Sequence, residues 1–288
     1  MNKIKKQMTA GLLMVLMLVV SVFGNVTTAN AATLSAKKYL AKMEKAYAKA
    51  KSVEMKQSTS VTLNTMGQEV VSKVSGSGIV FFKSGKAKYV QKVTTIAGGQ
   101  KSNQTVRMYV KKSKGKLYMY TSSDGKTYEK TKLGNMNDFT SQLGQVSAST
   151  STYSNAKIVK KHVKIGKADT VQISCRITGK DMQKYLKQVG MDASTLKEAG
   201  INLSKMKAIK VNYWIDRKTY RPVKCSVDMT AFMSDFLGNL VKAMAEEAES
   251  ESGVSVSDLE MNCTNAKSTV TYKNFNKAKS FSYPKAVK

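Results

Sequence analysis

The stretch Ile209-Lys-Val-Asn-Tyr-Trp-Ile-Asp-Arg-Lys-Thr-Tyr-Arg-Pro-Val-Lys-Cys-Ser-Val-Asp-Met-Thr230 decides the fold. Ile209, Val211, Tyr213 and Ile215 alternate with Lys210, Asn212, Trp214 and Asp216; after a polar turn, Val223, Cys225, Val227 and Met229 alternate with Lys224, Ser226 and Asp228. This period of two predicts a hairpin with one apolar and one polar face. An antiparallel sheet of that kind covers one face and leaves the other in water. The question of function becomes what covers the apolar face: helices alone, or helices and a ligand.

Working outward, more strands of the same kind appear. Residues 53–65, 69–82, 87–96, 104–111, 116–121 and 127–132 read as a meander. Between them lie turn signals such as Gly98-Gly99 and Asp124-Gly125, which supply the positive φ angles of tight hairpins. Gly76 and Gly78 fall inside a strand pattern and predict a bulge or sharp bend there. Strands resume at 156–164 and 169–178, and a last one spans 261–272. Helices are predicted over 35–51 with Ser35 as N-cap, 135–146, 181–189, from Ser194 to Gly200, and 232–249. The last carries Met233, Phe236, Leu237, Leu240, Val241 and Met244 as an apolar stripe.

The N-terminus has the three parts of a secretory signal. Lys3, Lys5 and Lys6 precede an apolar run over 10–23, and Ala29-Asn30-Ala31 offers a small-residue cleavage site. The run falls short of the roughly 20 residues of a membrane-spanning helix. A signal peptide over 1–31 and one domain over 32–288 are expected, in a protein that is extracellular, either released or associated with the cell surface.

The formal net charge is +29, with the lysines scattered through strands and turns. Such a field attracts polyanions; outside the cell these are anionic wall polymers or a membrane surface. Charge that only maintains solubility is the alternative. Export and the lack of a nucleic-acid-binding module argue against nucleic acid. Cys175 and Cys225 share faces with Val171, Ile173, Val223 and Val227, which reads as buried thiols; one disulfide among Cys175, Cys225 and Cys263 with one thiol left over is the alternative. One histidine, His162, stands in a basic strand with no acidic or nucleophilic sequence context, and no metal or cofactor motif is present. Asp216 and Asp228, on the polar face, read as partners for lysines. Neither an enzyme nor a metal or cofactor is expected. The 17 methionines suit either a cavity that accepts varied apolar shapes or ordinary gap-filling.

The order of elements, with Lys116-Leu-Tyr-Met-Tyr-Thr, Gly125-Lys-Thr-Tyr-Glu-Lys and Val211-Asn-Tyr-Trp-Ile-Asp-Arg-Lys-Thr-Tyr-Arg-Pro-Val-Lys, resembles the LolA-like fold. That fold is shared by bacterial lipoprotein carriers and by mycobacterial lipoproteins that bind acylated lipids; an uncharacterised secreted Gram-positive branch is similar as well. The resemblance implies an α+β protein: a curved antiparallel sheet, an incomplete β-barrel, with helices covering its concave face. It also implies an apolar pocket for acyl chains. The lipobox cysteine and the lid-locking arginine of the carriers have no counterpart here, so lipoprotein transport is not implied. The expectation is a monomeric, non-enzymatic binder of a lipid or other apolar ligand. Its cavity would lie between the sheet and the helices 181–189 and 232–244, lined by Val211, Tyr213, Val223, Val227, Met233, Phe236, Leu240 and Met244. The other class of function is a basic module that binds anionic wall polymer or membrane surface.

Overall fold

The computed structural model describes residues 35–65, 67–135, 154–188, 201–252 and 261–287. The expected signal peptide, the helix from Ser194 to Gly200 and nearly all of the expected helix 135–146 lie outside them; Asn135 itself ends a strand.

Eleven antiparallel strands form one sheet in the order β6-β5-β4-β3-β2-β1-β11-β10-β9-β8-β7. They are β1 Ser52–Thr65, β2 Gln68–Phe81, β3 Lys86–Ala97, β4 Gln100–Ser113, β5 Lys116–Ser122, β6 Glu129–Asn135, β7 Ser154–Ile165, β8 Ala168–Ile177, β9 Ile209–Asp216, β10 Pro222–Asp228 and β11 Met261–Lys273. The sheet stays open, with β6 and β7 as its edges. Strands β1–β6 and β7–β10 each pair in sequence order as two meanders, and β11 inserts between β1 and β10 and so joins them.

Among the described residues, three α-helices cover one face. Helix α1 spans Ala36–Ala48, α2 Gly179–Gln188 and α3 Thr230–Ser252. Ser35 caps α1, its hydroxyl accepting from the Lys38 amide at 3.3 Å. Thr178 and Asp181 cap α2 reciprocally: Asp181 accepts from the Thr178 amide at 2.9 Å, and the Asp181 amide donates to the Thr178 hydroxyl at 3.3 Å. Gly179 is required there, because a Cβ would stand 1.6 Å from the Leu203 carbonyl oxygen. Helix α3 begins where Asp228 accepts from the Thr230 amide, and it buries Phe232, Met233, Phe236, Leu237 and Leu240. The core joins these side chains to Leu40 and Met43 of α1, Met182 of α2 and the inward residues of β1 and β8–β11.

Three features depart from the pattern read in the sequence. The pairing of β2 with β1 and β3 is regular through Gly76 and Gly78, so neither glycine is a bulge. Bulges occur instead in β11 and β10. In β11 the pairs Thr62–Asn265 and Leu63–Cys263 skip Thr264, which keeps Cys263 and Ala266 both inward. In β10 the register shifts between Pro222 and Lys224, so Val223 is the extra residue and the apolar alternation breaks there. Finally, the chain after β11 crosses the strand ends. The Asn276 amide donates to the Ser52 carbonyl at 2.9 Å, Tyr283 Oη to the Val110 carbonyl at 2.8 Å, and Lys111 Nζ to the Val287 carbonyl at 3.1 Å. Phe281 and Tyr283 pack on Tyr109 along this strap.

Candidate functional site

The inward face of the sheet has two halves. Over β1 and β8–β11 it is packed by α1, α2 and α3 into the main core. Over β2–β5 the apolar inward positions are Val74, Tyr89, Val93, Val106, Met108 and Met119, interspersed with the polar Ser72, Gln91, Thr95, Gln104 and Thr121. None of the six apolar residues belongs to that core, and apart from the buried Val74 they are half-buried. The described residues thus present an apolar wall beside the packed half.

A polar seam crosses the inward face where the halves meet. Gln57 and Thr59 stand in phase with Val53, Met55 and Val61 on β1, and both are buried. Tyr89 Oη donates to Gln57 Oε1 at 2.5 Å, Gln57 Nε2 donates to Thr59 Oγ1 at 3.0 Å, and the Thr59 and Ser268 hydroxyls lie 2.8 Å apart. Buried polar groups need such partners, and the chain of bonds runs from the wall at Tyr89 into the core at Ser268. Burial pushes the Tyr89 hydroxyl up to about 12, so it is a neutral donor at any physiological pH. An apolar surface with a few placed polar groups is the composition of a small-molecule site. The sequence held the signal for this seam: two polar residues in phase with an apolar strand face.

Of the expected lining residues, Val211 and Tyr213 are fully buried at 0% exposure, and Val227, Met233, Phe236 and Leu240 are buried in the same core. Val211 pairs with Val227 and Tyr213 with Cys225 across β9–β10. The structure therefore brings these six together beneath α3. Val223 is half-buried at its bulge, and the Met244 side chain lies outside the described set.

Glu44 is the unanticipated group. It lies on the buried face of α1 with Leu40 and Met43, at 2% exposure, and neither carboxylate oxygen has a hydrogen-bond partner among the described residues. Loss of hydration pushes its pKa up to about 9. The carboxyl is therefore protonated at neutral pH, a neutral donor and acceptor inside an apolar core.

The remaining chemistry is structural. His162 meets an aspartate after all: the β7–β8 hairpin sets its Nδ1 3.2 Å from Asp169 Oδ2, and Arg217 Nη1 donates to that oxygen at 3.0 Å. The Arg217 guanidinium holds the Asp169 carboxyl below the usual carboxylate range. No hydroxyl or thiol is hydrogen-bonded to His162 among the described residues. Asp216 accepts not from a lysine side chain but from the Lys218 and Thr219 amides and the Thr219 hydroxyl, and so shapes the turn. Asp228 caps α3. All three cysteines are free and buried, and burial raises each thiol pKa. Trp214 is half-buried with Lys224 Nζ 4.6 Å from its ring centre. Among the described residues no group of His, Cys, Asp and Glu could hold a metal ion, and no helix is long and apolar enough to cross a membrane.

An open antiparallel sheet with helices on one face defines the class as α+β. The chain belongs to the DUF6612 family, a family of unknown function whose model matches residues 35–288. Among solved structures it is similar to the lipoprotein LppX of Mycobacterium tuberculosis, at 12% identity and a TM-score of 0.43, over 85% of this chain and 97% of that one. It is similar to LprF of Mycobacterium bovis at 12% identity and a TM-score of 0.43, over 86% and 96%. A DUF1329-family protein of Desulfovibrio piger matches at 8% identity and a TM-score of 0.25, over 86% and 93%. No curated protein matches the sequence.

Proposed function

We propose that this chain is a non-enzymatic, exported binding protein that holds a lipid or other apolar ligand between the curved sheet and its helices. It would work as a single domain over residues 32–288, behind a signal peptide of 1–31, as a monomer and without a cofactor. The observation that carries the reading is the inward wall of β2–β5. Val74, Tyr89, Val93, Val106, Met108 and Met119 give it an apolar surface outside the packed core, edged by the Tyr89–Gln57–Thr59–Ser268 seam.

On the helical side the ligand would meet Val211, Tyr213, Val223, Val227, Met233, Phe236, Leu240 and Met244. Because Val211 and Tyr213 are already covered, a ligand reaches them only when α3 shifts, whereas the β2–β5 wall needs less rearrangement. The experiment is titration with a dansylated undecanoic acid. Saturable, blue-shifted fluorescence is expected, and V93D or M108D should weaken it by at least about tenfold, since an unpaired carboxylate is costly in an apolar site. An unsaturable signal, equal for both variants and the parent chain, would overturn the reading.

A further inference from the structure

The outward face of the sheet carries an ordered array of cations. We infer that this face is a docking surface for a linear polyphosphodiester, the chemistry of an anionic wall polymer, distinct from the apolar site on the opposite face. The strand register places the cations in rows that run across the strands. In one row Arg176, Lys210, Lys267 and Lys73 stand on β8, β9, β11 and β2, with Asp228 between Lys210 and Lys267. A second holds Lys224, Lys56 and Arg107, spaced by Thr271 and Ser77. A third holds Lys273, Glu54, Lys88 and Lys130, with Tyr109 and Tyr120 between the last two.

Ten cations and two acids thus share three rows. At about 4.8 Å between strands and 3.4 Å along them, the array spans roughly 43 by 20 Å. Residues 68–135 alone hold fourteen Lys and Arg against three acids. Solubility requires charge, but it does not require one sign on one face. Ser and Thr hydroxyls such as Ser58, Ser75 and Thr269 fill the intervening positions and suit phosphate and polyol oxygens. Among the described residues the one exposed large apolar side chain is Val159, on edge strand β7. The apolar side chains in the rows, Ile79, Val90 and Trp214, are half-buried between the cations rather than projecting as a wedge for a bilayer, which favours a hydrophilic polymer.

The test uses the full mature chain with poly(glycerol phosphate) as the probe. The variant K56Q/K73Q/K210Q/K267Q removes exposed cations from the outward face; K37Q/K45Q/K49Q/K83Q removes the same charge elsewhere. The first should weaken binding by at least about tenfold and the second by less than about twofold, and parent-chain affinity should fall about ten- to fifty-fold between about 50 and 200 mM salt. Equal losses in the two variants, or salt-insensitive binding, would overturn the proposal. So would tighter binding to phosphatidylglycerol–phosphatidylcholine vesicles than to the polymer. Binding of the dansylated acid stays unchanged in the outward-face variant, which separates this surface from the apolar site.

Discussion

The ring of Tyr89 lies directly over Gly78: a Cβ at position 78 would stand 2.6 Å from Tyr89 Cδ2, and one at position 76 would stand 2.2 Å from Tyr89 Oη. Two glycines in the middle of β2 are the seat of one aromatic ring on β3, and the seat aims the Tyr89 hydroxyl at Gln57. G78A should destabilise the protein by about 1–3 kcal/mol in urea unfolding, as overpacked sites do. G78A/Y89A should be less destabilised than the sum of its single variants, because the clash is gone. Strict additivity would show that the ring and the glycine are not coupled.

The seam makes a second prediction. Y89F leaves Gln57 Oε1 without its donor, at a cost of about 1 kcal/mol, while the apolar wall keeps its shape. Binding of the dansylated acid should change by less than about threefold if the seam is structural, and by more than tenfold if Tyr89 Oη contacts the ligand's carboxylate; a charge-assisted hydrogen bond is worth about 1.5–3 kcal/mol.

Glu44 predicts a pH dependence with a definite sign. Its folded-state pKa is raised from 4.5 to about 9, so the folded state holds the proton more tightly than the unfolded state does. The favourable balance is fully present below pH 4.5 and is lost as pH rises to about 9. Stability should fall over that window, and E44Q should remove the fall. At pH 8, E44L should exceed the parent chain by on the order of 2–4 kcal/mol. Parallel stability–pH curves for the parent and E44Q would show that the carboxyl is hydrated.

The β9–β10 turn rests on Asp216, which accepts the Thr219 amide at 2.7 Å and holds the turn that places Tyr220 at a φ of 57°. D216A should cost about 1 kcal/mol, and D216N, which keeps the acceptor oxygen, much less. Equal effects would point to charge rather than to the turn.

Much of this was legible before the structure. The hairpins could be read because the strands repeat with a period of two and are separated by Gly and Asp turns, and Ser35 could be read as a cap because its chemistry is local. What was missed depends on partners distant in sequence. Gly76 and Gly78 signal a bulge or a close approach equally well, and only Tyr89 distinguishes the two. Val223 continues the apolar alternation, yet the register slips beside Pro222. The strap from Asn274 onward has no periodicity, because it crosses strands rather than joining them. Glu44 sits in helical phase with Leu40 and Tyr47, and its charged type concealed a buried position. In the candidate site the helical side was read from its apolar stripes, whereas the Tyr89–Gln57–Thr59–Ser268 seam emerges only from cross-strand register.

The central claim is that the inward face holds an apolar ligand. Its most direct test is mass spectrometry of the organic extract of protein purified from its native host's culture medium. The account predicts a co-purifying acyl-bearing molecule at about one per chain, depleted in the V93D variant, as an apolar site occupied in the cell requires. A lipid-free extract from a chain that also fails to bind the dansylated acid would contradict it, leaving a sheet whose apolar face is filled by its own side chains.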